Sequence, residues 1–199
     1  MRRASILAIV FTALTHSEPL DRIAVSIGTQ VVTESAVLLD LRVSALLDRM
    51  PVDLSATAKR RSAERLTDQV LILREATESH LALPTNATAL MNDLRAQYGS
   101  DYTTALKRYG VQESDVAAQV LAGLIGLTFT ELRFRPAVQI SEEDMRAYFA
   151  TLPGEGTFES VRDQIEDLLL RRRAIEGLDQ WLATARTAAH VQFREAVFR

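Results

Sequence analysis

Between Phe158 and His190 the chain carries one long helical stripe of Phe158, Val161, Ile165, Leu168, Ile175, Leu178, Leu182, Ala185 and Ala189. The stripe advances by threes and fours, with Arg172 standing where an apolar residue is due between Leu168 and Ile175. A helix over that span is roughly 45 to 50 Å long at about 1.5 Å per residue. One neighbour of ordinary length cannot bury so long an apolar face, so it is expected to act as a spine for the helices before it. Acid-before-base pairs such as Asp167 and Arg171 suit its exposed side. Thr157, just past the break Pro153-Gly154, is its expected N-cap.

The preceding chain supplies the partners. Ile23 to Ile27 and Gln30 to Val32 are short β-rich runs about Gly28-Thr29, a pair suited to a type II′ hairpin. Thr33 is placed to cap a helix reaching Arg49 before Pro51, with Val37, Leu38, Leu41, Ala45 and Leu46 inward. Ser55 to about Ser79 predicts a second helix with Ala63, Leu66, Val70, Leu73 and Ala76 on its core stripe. Lys59, Arg60 and Arg61 on it read as a solvated face, since Glu64 and Asp68 follow. A third helix starts after Pro84 at Thr85 or Asn86 and ends at Gly99; a short fourth spans Asp101 to Tyr109 before Gly110. A fifth covers Glu113 to Phe134, with Val116, Val120, Leu124 and Leu127 inward. Gly123 and Gly126 each cost such a helix about 1 kcal/mol relative to Ala, which points to close approach by a neighbour. Arg135-Pro136 ends it, Ala137 to Ile140 is expected extended, and Ser141 with Asp144 opens a short helix over Glu142 to Thr151. Val191 to Phe193 can return as a strand beside the hairpin.

Composition narrows the class. A chain of 199 residues with 47% hydrophobic and 25% charged residues has the means to bury a substantial core. A net charge of −3, with basic and acidic residues interleaved, argues against a nucleic-acid partner. The absence of Cys excludes disulfides and a lipid-modified cysteine. Arg2 and Arg3, the apolar run Ala4 to Leu14 and the small-residue site Thr15-His16-Ser17 read as a signal peptide over residues 1–17, cleaved after Ser17. The run is about half of the roughly 20 residues that span a bilayer, so no stable membrane insertion is expected after cleavage. Residues 18–199 are expected to form one domain, with a core over 18–151, the long helix over 157–190 and a terminal strand at 191–193.

Three blocks then resemble one family: LDRIAVSIGTQVVTESAV; YGSDYTTALKRYGVQESDV with ELRFRPAVQISEEDMRAYF; and FESVRDQIEDLLLRRR with VQF. In that order they are similar to the N-terminal chaperone module of SurA-like periplasmic proteins and parvulin-type peptidyl-prolyl isomerases, which is related in structure to the peptide-binding part of trigger factor. The resemblance implies a mainly α fold with an N-terminal β-hairpin and a long C-terminal helix. It also implies periplasmic export and clients that are unfolded or extended polypeptides, outer-membrane proteins among them. Catalytic members insert a parvulin domain after the position of Ala150, where this chain has only Leu152 to Thr157. Six residues make a turn, not a domain.

The remaining chemistry points the same way. His16 falls in the signal peptide, and His80 and His190 stand alone near helix ends, where they suit the helix dipole. No Cys, His pair, G-x-S-x-G or phosphate-binding Gly-rich loop is present. Glu142, Glu143 and Asp144 fit a helix start and lack calcium-loop spacing. The expectation is therefore a non-catalytic binding protein with no cofactor and no metal. Weak isomerase activity, or a scaffold role for one fixed partner, are the alternatives. Client contact needs accessible apolar surface, for which the candidates are Phe129, Leu132, Phe134, Met145, Tyr148 and Phe149. Aromatic residues at helical spacing also serve core packing.

Overall fold

A computed structural model describes residues 21–153 and 156–198. The expected signal peptide, His16, Gly154 and Glu155 lie outside these residues. Strands β1 (Ile23–Ile27) and β2 (Gln30–Thr33) pair antiparallel around Gly28-Thr29. Gly28 has φ of 59° and Thr29 does not share the positive φ, as a type II′ turn requires. Strand β3 (Gln192–Phe193) pairs with β1 on its other side, giving the order β2-β1-β3.

Seven helices follow the hairpin, and local chemistry marks most of their ends. Helix α1 (Glu34–Asp48) begins where Thr33 Oγ1 accepts the Ala36 N–H, and it closes on Arg49 in the left-handed conformation. Helix α2 (Ala56–Glu78) is capped by Ser55, which accepts from Ala58 N–H at 3.2 Å. Helix α3 (Thr88–Tyr98) starts later than the sequence predicts, because Asn86 Oδ1 accepts the Thr88 N–H and holds the chain in a turn. Helix α4 (Tyr102–Tyr109) ends at Gly110, and α5 (Glu113–Arg133) opens on a Gln112–Asp115 capping box. Arg135–Ala137 form one further helical turn, so only the residues after it are free of helix before Ser141 and Asp144 cap α6 (Glu142–Phe149).

Helix α7 (Phe158–Ala188) has 31 residues, about 46 Å at the usual rise. Thr157 precedes it without a side-chain capping bond; its carbonyl instead accepts the Ser160 hydroxyl at 2.7 Å. The spine expectation needs dividing, because α7 serves two cores. Leu182 joins the main core with Val25, Ile27 and Val32 of the sheet, Val37 and Leu41 of α1, Leu71 and Ile72 of α2, and Phe129 of α5. Phe158 and Ile165, at the other end, pack with Met145 of α6 in a small separate core. A third cluster is built from Val43 and Leu46 of α1, Met91, Tyr102, Ala105 and Val116.

Polar contacts fix the arrangement. Asp40, almost fully buried, accepts from Ser62 Oγ at 2.6 Å and from Arg65, tying α1 to α2. Arg186 holds Asp68 through two bonds of 2.8 and 2.6 Å, tying α7 to α2. Arg60, read from sequence as solvated, lies 3.8 Å over the Phe193 ring and pairs with Glu195. It thereby covers the sheet end rather than facing open water.

Candidate functional site

Helix α5 decides where accessible apolar surface lies. Together with the turn after it, over Glu113–Ala137, it is long and apolar enough to cross a membrane by length and composition, yet only 17% of its most apolar 18-residue stretch is buried. A helix with apolar residues on several faces needs cover on several faces. Here one face is covered: Phe129 is fully buried, 5.3 Å from the Trp181 ring and 5.8 Å from Phe134, and Val116 is buried at the other end.

Both flanks of α5 are clefts. On one side a cleft of about 310 Å³ lies between α5, α2 and β2, lined by Val31, Val32, Leu66, Val70, Leu73 and Ile125 among others. Among the described residues that line it none is ionisable. On the other side a cleft of about 320 Å³ lies between α5 and α7, lined by Gly123, Gly126, Leu127, Thr130, Ile175 and Leu178 together with the charged Glu131 and Arg171. Leu127 is 69% exposed, Ile175 52% and Leu73 51%. These three were expected inward, and each instead faces a cleft. Leu168 is also exposed, and Ala174 takes the buried place on α7.

Among the described residues no neighbour outside the helix comes within 4 Å of where a Cβ would stand at Gly123 or Gly126. The close approach expected there is absent, and the glycines leave the cleft wall low. Gly177 of α7 is the glycine that receives a neighbour: a Cβ there would come within 3.2 Å of Phe134.

The six candidate contact residues do not form one surface. Phe129 belongs to the main core, and Phe134 lies half-buried between Gly177 and Trp181. Met145 is buried, with Tyr148 and Phe149 half-buried around it; Phe149 meets Phe158 edge-on at 5.7 Å. Leu132 alone of the six is well exposed, at 46%. Ion pairs tie both regions to α7: Arg135 reaches Asp167 at 2.6 Å, and Arg173 reaches Asp144 at 2.9 Å. A usable signal for the clefts was present in α5 itself, where Val120, Leu121, Leu124, Ile125 and Leu127 occupy more of the circumference than one neighbour covers.

Polar chemistry is sparse. His80 and His190 both sit in the left-handed region just past α2 and α7, their Nδ1 atoms 3.0 and 3.2 Å from the carbonyls of Glu78 and Thr187. Among the described residues no three His, Cys, Asp or Glu side chains converge as metal ligands would. Burial beside α7 raises the Asp68 carboxyl above the usual aspartate range despite Arg186, whereas the Ser141 N–H and hydroxyl lower Asp144. Compared with known proteins, the chain matches no family model and no curated sequence.

Proposed function

We propose that this protein is a non-catalytic, exported chaperone-like module that holds extended apolar segments of unfolded envelope proteins, in the manner of the SurA-like proteins it resembles. One observation carries the reading: α5 presents apolar side chains to two open clefts that no other part of the described chain fills. Accessible, largely uncharged concave surface of this kind suits apolar segments of varied sequence, because burial of apolar area is non-directional. Leu73 and Leu127 stand at the two clefts and are the side chains through which a client gains most contact.

The test is suppression of aggregation. The purified chain is mixed with a urea-unfolded outer-membrane protein on dilution, and light scattering is followed. Protection is expected, and Leu73→Asp and Leu127→Asp are expected to weaken it while leaving the far-UV circular dichroism unchanged. Absence of protection by the unmodified chain refutes the proposal. Co-purification with one protein at constant stoichiometry, with no effect on unfolded clients, would transfer the same surface to a fixed partner.

A further inference from the structure

The uncharged cleft between β2, α2 and α5 is bordered by a sheet edge, and that edge specifies what can lie in it. In the order β2-β1-β3 strand β2 is terminal. A two-residue loop makes Ile27 and Gln30 the closing hydrogen-bonded pair, so the facing pair Ser26 and Val31 is the non-bonded one, and Val25 with Val32 is bonded again. The N–H and C=O of Val31 therefore point away from β1. Among the described residues no backbone or side-chain group bonds to them. Val31 is 49% exposed and lines the cleft, while Val32 beside it is buried toward α2.

We infer that, if the chain binds clients as proposed above, the occupant of this cleft is an extended, uncharged strand that adds to β2. The guest residue facing Val31 makes two backbone hydrogen bonds with it. Its two neighbours in the guest point to the opposite face, the face of Val32, where α2 forms the floor. Leu66 to Leu73 extends about 10 Å along α2 at the helical rise, room for two alternate side chains about 6.7 Å apart. The described residues of the cleft lining include no ionisable one, so both inward side chains are apolar and uncharged. A helical guest could fill the cleft but would leave the Val31 groups unpaired, because its own backbone groups are bonded internally.

The experiment uses the full chain, nitrogen-15 labelled, titrated with the capped heptapeptide Thr-Gln-Val-Thr-Leu-Gln-Thr. Strand addition places Val and Leu inward and the central Thr opposite Val31. The expected result is a downfield shift and slowed exchange of the Val31 amide proton. N-methylation of the central Thr is expected to weaken binding three- to tenfold, and N-methylation of Val or Leu less than twofold. Equal losses at all three positions, or binding that leaves the Val31 amide unmoved, overturn strand addition even where aggregation suppression persists. A concentration-dependent dimer dispersed by Leu73→Asp assigns the cleft to a second copy and overturns it too. Loss of aggregation suppression in the unmodified chain refutes the broader reading by a separate readout.

Discussion

Three glycines inside helices offer a controlled test of the packing described for α5 and α7. Gly123, Gly126 and Gly177 all lie well within helices, so Ala at each gains the same intrinsic helix propensity, about 1 kcal/mol. Among the described residues nothing outside the helix approaches a Cβ at Gly123 or Gly126 within 4 Å. Gly123→Ala and Gly126→Ala are therefore each expected to stabilise the chain by about 1 kcal/mol, raising Tm by about 2 to 4 °C for a chain of this length. At Gly177 the new Cβ meets Phe134 at 3.2 Å, and that ring is itself held against Phe129 and Trp181. Overpacking of about 1 to 3 kcal/mol then offsets or exceeds the propensity gain, for a net change from about zero to about 2 kcal/mol destabilising. Urea titration monitored by circular dichroism, with equal slopes confirming an unchanged unfolded-state area, reads all three. Destabilisation by Gly126→Ala would show that another element closes on α5, and the cleft between α5 and α7 would lose its basis. A gain at Gly177 equal to that at Gly123 would show that Phe134 is free to move.

Phe129→Ala is expected to cost about 3 to 5 kcal/mol, as for a fully buried aromatic residue, while Leu127→Asp two positions earlier stays within about 0.5 kcal/mol; parallel urea titrations compare them. The buried hydroxyl of Tyr102 has no hydrogen-bond partner among the described residues, so Tyr102→Phe is expected to stabilise by about 1 kcal/mol in thermal unfolding. Asp68 and Asp144 give opposite pH signatures. The raised Asp68 pKa means that its contribution is fully present below about pH 4 and falls as pH rises through the folded value, so the unmodified chain should lose stability relative to Asp68→Asn over that range. The lowered Asp144 pKa makes its contribution present above about pH 4 and lost as pH falls through the folded value, so there the unmodified chain should lose its advantage over Asp144→Asn on acidification. Urea titrations between about pH 3 and 7 give both signs, and a reversed sign at either position refutes the assigned environment.

How much of this was legible in the sequence follows from the range of the forces involved. The hairpin about Gly28, the caps at Thr33, Ser55 and Ser141, and the stops at Gly99 and Gly110 depend on atoms a few residues apart; periodicity located α1, α2, α5 and α7, and caps and stops located the three shorter helices. Local reasoning failed where a competing local bond existed, as at Asn86 and Thr157. The candidate contact residues failed to gather for a different cause. Phe129 and Leu127 are equally apolar and lie on the same helix, and nothing in their spacing says that Trp181 covers one and solvent meets the other.

The sequence by itself determined a mainly helical chain with a small sheet, the ends of most elements and an apolar stripe on each of the four longest helices, because hydrogen bonding and side-chain period are local properties. Only the tertiary structure decided which of those faces are covered. Burial belongs to pairs of elements, and the clefts beside α5 exist because α2, α7 and the sheet together cover one face of a helix that is apolar on more than one.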